Sequence, residues 1–147
     1  MFASTATFLT TLVALTAASP IVPRAGGPAI KPIPSTCTIT SAQPASPAFL
    51  PALPAGEQPL YSMYFPSPSS DKPAMQRQCL EQCYGYGDST QCHAAYWAEN
   101  VKIPDGFRGA GSLSTACILF SRPLTASDFQ TAPAGQATDA YTANLAC

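Results

Sequence analysis

The chain is predicted to fold as an α+β domain in which one helix packs against several short strands and disulfides hold the set together. Three observations lead there. Six cysteines stand in a 147-residue chain. Asp71 to Gly85 carries helix-period apolar residues between a capping residue and glycines. Short runs rich in β-branched and aromatic residues recur elsewhere, separated by proline- and glycine-containing connections.

The disulfide reading rests first on compartment. The opening residues carry no charged side chain, are apolar over too short a length to span a bilayer, and end in Thr16-Ala17-Ala18-Ser19 before Pro20. That layout predicts a signal peptide over residues 1–18, and hence a secreted, extracellular protein with no membrane span. The run to Cys147 offers no hydrophobic tail for a lipid anchor. In an oxidising compartment an even set of cysteines in a small domain reads as a disulfide framework. The spacing agrees. A zinc site wants two close ligand pairs, whereas Cys37, Cys117 and Cys147 are each isolated, and the only histidine, His93, has no partner histidine. Cys79 and Cys83 have three residues between them, one more than a thioredoxin-like pair. No metal and no cofactor are expected.

Composition divides the remainder. Of 16 prolines, 13 lie between Pro20 and Pro73. Residues 19–36 are predicted to be an extended, proline-rich leader unable to form a packed core. The domain proper runs over 37–147, with a second proline-rich excursion at 42–59 expected to be irregular. Cys37-Thr-Ile-Thr and Leu60-Tyr-Ser-Met-Tyr-Phe read as strands. For the helix, Ser69, Ser70 or Asp71 can cap, Pro73 falls in the tolerant first turn, and Gly85 or Gly87 can end it. Met75, Cys79 and Cys83 then share one face, so each cysteine can reach a different neighbouring strand. Cys92-His-Ala-Ala-Tyr-Trp is predicted to be a strand with Cys92, Ala94 and Tyr96 on one side and His93, Ala95 and Trp97 on the other. Thr115–Phe120 is another, nearly all apolar. Thr125 with Asp128 has the form of a capping box opening a short helical turn, and Tyr141 to Cys147 closes the chain as a strand.

Cys79-Leu-Glu-Gln-Cys83-Tyr-Gly-Tyr-Gly, Ala94-Ala-Tyr-Trp and Ala116-Cys-Ile-Leu-Phe-Ser-Arg-Pro-Leu carry a resemblance. With a strand cysteine before them and a terminal cysteine after, they look like the PAN/apple-type module, in the form of small secreted apple-like proteins of filamentous fungi. The resemblance covers roughly Cys37 to Cys147 and is strongest from Cys79 to Leu124. It implies a curved antiparallel sheet cradling one helix, and a nested pairing of Cys37 with Cys147, Cys79 with Cys117 and Cys83 with Cys92. The long excursion between Cys37 and Cys79 departs from the pattern.

For function, charge is quiet. Seven basic residues stand against eight acidic ones, and the bases are spread singly, without the stripe that nucleic acid needs or the cluster that draws a protein to a membrane surface. Asp88, Glu99, Asp105 and His93 are the available acid–base groups, but nothing in the sequence pairs them, and no nucleophile elbow, phosphate loop or metal box occurs. No catalytic residue is assigned. What remains is an aromatic surface. Tyr86 at the helix end, Trp97 after the central strand, and Phe107 with Arg108 in the loop Pro104-Asp-Gly-Phe-Arg-Gly-Ala-Gly are the candidate ligand-binding residues, since flat rings stack on sugars or anchor protein contacts. Trp97 fits a core position as well. The sequence thus predicts a monomeric, non-catalytic module for a glycan or an extracellular protein. The alternatives are an effector-type protein acting on a host or cell-surface protein, and a small glycan-active hydrolase.

Overall fold

The computed structural model describes residues 27–67 and 69–147. The predicted signal peptide and the first part of the leader lie outside the described residues. The elements are β1 (Thr38–Ser41), β2 (Phe49–Pro51), β3 (Tyr61–Phe65), α1 (Lys72–Tyr84), β4 (Ala94–Lys102), β5 (Leu113–Phe120), β6 (Phe129–Thr131) and β7 (Thr138–Ala146), with a 3-10 turn over Ala126–Asp128 before β6. The fold is α+β. Five strands form an antiparallel sheet in the order β1-β7-β4-β5-β3, and β2 pairs antiparallel with β6 in a separate two-stranded sheet.

The helix begins where the sequence offers its cap. Asp71 Oδ1 accepts the Ala74 N–H at 3.1 Å, and Pro73 sits in the first turn, where no intrahelical donor is lost. Met75, Cys79, Leu80 and Cys83 are buried against β4, β5 and β7. The helix stops at Gly85, whose N–H donates to Glu81 O at 2.9 Å. The backbone there is an ordinary right-handed one (φ −78°), so conformation does not demand glycine. Space does: a Cβ on Gly85 would lie 1.7 Å from the carbonyl oxygen of Ala29. Residues 27–36, within the predicted extended leader, lie against this helix end. The Lys31 N–H donates to Glu81 O at 3.3 Å, and Ile33 packs on the helix-side core. Extended backbone needs no core of its own when a helix end supplies the surface.

Strand alternation gives the sheet two buried faces. Ala95 and Trp97 of β4 join Cys117, Leu119, Ala143 and Leu145 beneath the helix. Ala94, Tyr96 and Ala98 join Ala116, Ile118 and Phe120 on the opposite face. The β2–β6 pair covers that second face: Phe49 packs edge-on to Tyr96 and to Phe129, with ring centroids 5.8 and 5.1 Å away, and the Tyr96 hydroxyl donates to Phe49 O at 2.6 Å. The excursion at 42–59 is thus not wholly irregular, because Phe49 and Leu50 have a face to bury. Arg122 fixes it from below, donating to Glu57 (2.5 and 2.9 Å) and to Asp128 (2.6 and 3.2 Å).

Three disulfides join Cys37 to Cys147, Cys79 to Cys117 and Cys83 to Cys92, the pairing that the resemblance implied. The two helix cysteines reach two different partners. Cys92 is a correction: it lies in the helix-side core with Ala95 and Trp97, not with Tyr96. The strand starts at Ala94, and the bond to Cys83, with Cα atoms 5.2 Å apart, holds residue 92 under the helix before the alternation begins. Among the described residues, no helix is long and apolar enough to cross a membrane.

Candidate functional site

An open groove of about 760 Å³ lies on the sheet face away from the helix. One wall is β3, the last strand of the sheet, and another is β2 with Gln130 of β6. The third wall is the loop after β4. Leu50, Leu53, Leu60, Val101 and Ile118 make its surface apolar.

The loop that closes the groove is built to hold one ring outward. Ile103 is buried as its anchor, the Ile103 N–H donates to Ser112 O, and the Gly111 N–H returns to Ile103 O, both at 2.9 Å. Between these ties the chain turns through Gly106 and Gly109, with φ of +90° and +86°, backbone that a side chain would oppose. Phe107 sits between them, 43 % exposed. Its ring stands edge-on to Tyr64 with centroids 5.0 Å apart, a favoured aromatic geometry. Tyr64 comes from the face of β3 opposite Met63, and partial burial pushes its hydroxyl pKa up, while a hydrogen bond with Ser62 acts the other way.

Of the four predicted ligand-binding residues, the structure places only Phe107 in the groove. Trp97 is a correction: it is 1 % exposed, at the centre of the helix-side core. The register of β4 between β5 and β7 turns it beneath the helix, with Cys117 and Tyr141 opposite it. Among the described residues, its Nε1–H is buried without a hydrogen-bond partner. Tyr86 is half-buried on the helix side, packed near Tyr61 at 6.2 Å between centroids. Arg108 is exposed beside Phe107 but does not line the groove. The rings that sequence reading missed are Tyr64 and Tyr61. Both lay within a recognised strand, but nothing in their run says that the strand ends a sheet.

The acid–base candidates are dispersed. Asp88 accepts from the Thr90 hydroxyl at 2.6 Å and its N–H at 3.1 Å, contacts that hold its carboxyl below the usual range. Glu99 lies at the bulge of β4, bound by Lys72 at 3.1 Å and by the Ser67 hydroxyl at 2.7 Å. Lys72 also pairs with Asp139. Asp105 alone of the three lines the groove. His93 uses its backbone, donating to Phe120 O and accepting from the Leu145 N–H, both at 2.8 Å. Among the described residues, no group of three or more histidines, cysteines and carboxylates is placed to hold a metal ion. Comparison with family models, curated proteins and solved structures finds no match to the chain.

Proposed function

We propose that the protein is a secreted, non-catalytic binding module of PAN/apple-like plan, and that it holds a carbohydrate or an extracellular protein in the groove beside Tyr64 and Phe107. The observation that carries this reading is the Phe107 ring, left 43 % exposed on a glycine-turned loop and braced edge-on by Tyr64. A large ring held at the mouth of an apolar groove is a contact surface for a sugar face or a protein side chain. Secretion is supported by the three disulfides and by the charge-free opening residues. The absence of catalysis is supported by the dispersal of the acid–base candidates, of which Asp105 alone lines the groove, and by the structural use made of other charged groups. Lys72, Glu99 and Asp139 tie the helix start to the β4 bulge, and Arg122, Glu57 and Asp128 tie the excursion to the turn before β6. The PAN/apple plan is supported by the helix against an antiparallel sheet and by the nested cysteine pairing.

The test is retention of the oxidised protein on arrayed and insoluble glycans and on immobilised extracellular proteins. Binding that disappears in Phe107→Ala supports the groove. Binding that survives Phe107→Ala and Tyr64→Ala but falls in Tyr86→Ala moves the site to the helix side.

A further inference from the structure

We infer that the segment from Ser35 to Ser41 is a modification site, at which hexoses are joined to Ser and Thr oxygens from a glycosyl phosphate donor. This rests on the reading of the chain as secreted, and not on the groove.

Composition marks the segment. Five of the seven residues from 35 to 41 carry a hydroxyl: Ser35, Thr36, Thr38, Thr40 and Ser41. Pro32 and Pro34 precede them, Pro44 and Pro47 follow, and no charged residue stands between Lys31 and Glu57. Serine and threonine set among prolines is the composition of segments that carry O-linked sugars. The chain has no Asn-x-Ser/Thr position, so the N-linked route is closed to it.

The fold leaves these hydroxyls open. All five residues are exposed. Ser35 and Thr36 occupy a turn that the Cys37 N–H closes by donating to Pro34 O at 3.1 Å. Thr38, Thr40 and Ser41 belong to β1, every residue of which is exposed. β1 pairs with β7 on one side, and among the described residues no strand pairs with its other side. Thr38 and Thr40 stand opposite Ala146 and Asn144, on the sheet face away from the helix, while Ser41 stands opposite Ala143 on the helix face. The acceptor oxygens therefore lie on both faces of an outermost strand and on the turn that leads into it.

Hydroxyls elsewhere are committed to the fold. Ser112 donates to Gly109 O at 2.6 Å, Ser114 to Phe65 O at 2.7 Å and Thr142 to Ala95 O at 3.1 Å. Ser67 donates to Glu99 at 2.7 Å and Thr90 to Asp88 at 2.6 Å. A sugar on any of these oxygens replaces the hydrogen that makes the bond. Within 35–41 the one side-chain hydrogen bond among the described residues is made by Ser41 Oγ, which accepts the Gln43 N–H at 3.4 Å. An accepting oxygen keeps a lone pair when it carries a sugar, so that contact survives. Ser69 and Ser70 are the nearest rival, an exposed pair in which Ser69 Oγ already accepts the Asp71 N–H at 3.0 Å.

In the transfer, the hydroxyl oxygen forms a bond to the anomeric carbon of the donor sugar. The bond from that carbon to the phosphate oxygen breaks, and its electron pair leaves with the phosphate. The hydroxyl proton passes to a base of the transferase. Sugars placed there cover an uncharged sheet edge that is otherwise open to another strand.

The experiment is secretion of the full chain from a eukaryotic host, with intact-mass measurement of the protein in the medium and electron-transfer fragmentation of its peptides. Hexose increments are expected on most of the secreted molecules, and fragmentation should place them on residues 35–41. A variant with Ser35→Ala, Thr36→Ala, Thr38→Val, Thr40→Val and Ser41→Ala should reach the medium with its three disulfides formed and lose most of the increments. Site placement on the natural protein decides the matter even where that variant fails to fold. Secreted protein without hexose, or with hexose on Ser69, Ser70 or other segments and none on 35–41, would overturn the site while leaving secretion standing. Unmodified chain retained inside the cell would overturn both.

Discussion

The carbonyl oxygen of Ala29 lies where a side chain on Gly85 would begin: a Cβ built there comes within 1.7 Å of it. Helix propensity alone favours alanine over glycine by up to about 1 kcal/mol, and the backbone at Gly85 would accept it. The contact decides otherwise. Gly85→Ala should push residues 27–33 off the helix end, because a backbone atom cannot turn aside as a flexible side chain can. We expect exchange of the Lys31 amide hydrogen to accelerate in the variant, with the thermal midpoint unchanged or lower. Unaltered protection at Lys31, with a raised midpoint, would show that the contact is loose.

Asp128 gives the fold a pH dependence of known sign. Hydrogen bonding to Arg122 is the main cause that holds its carboxyl at about 2, with Thr125 contributing and partial burial acting against. A folded pKa below the unfolded value near 3.9 means stability that is present above about pH 4 and lost as the pH falls toward 2. The effect is on the order of 2 kcal/mol at most, because the Arg122 side chain is 36 % exposed and solvent screens the pair. Denaturant unfolding followed by Trp97 fluorescence should show a smaller loss between pH 4 and pH 2 in Asp128→Asn than in the natural protein. Parallel pH curves for the two would contradict this account of Asp128.

Exposure separates the three disulfides. Cys79, Cys83, Cys92 and Cys117 are between 0 and 4 % exposed, whereas Cys147 is exposed and Cys37 half-buried. A mild dithiol should therefore open Cys37–Cys147 first, which alkylation and peptide mapping would read as label at residues 37 and 147 alone. That bridge closes the longest loop, with a sequence separation of 110. On the chain-entropy model, its removal in a Cys37→Ser, Cys147→Ser variant costs about 5 kcal/mol. Simultaneous labelling of all six cysteines would contradict the ordering.

Local signals made the helix and most strands readable. Asp71, Pro73 and the Met75-Cys79-Cys83 spacing each speak of the helix within a few residues of where they act, and Thr125 with Asp128 marks its turn in the same way. β2 escaped because Phe49-Leu50-Pro51 is three residues long inside a proline- and alanine-rich stretch, and only the distant rings of Tyr96 and Phe129 make it a buried strand. The site escaped for a related reason. Trp97 and Phe107 are both aromatic, but Trp97 lies within β4, the middle strand of the five, where its ring is buried, whereas Phe107 lies in the loop beyond β4, beside Tyr64 of the terminal strand. Edge position is a property of the whole sheet, so Tyr64 carried no mark of its role.

The central claim, that a ligand is held at the Tyr64–Phe107 pair, meets its most direct test in three variants measured side by side on whichever ligand the protein retains. Phe107→Ala and Tyr64→Ala remove the two rings. Leu113→Ala removes a side chain that is 52 % exposed, more than Phe107, and does not line the groove. The account predicts at least a ten-fold loss of affinity in both ring variants and affinity within two-fold of the natural protein in Leu113→Ala. Equal losses in all three, or none in the ring variants, would contradict it.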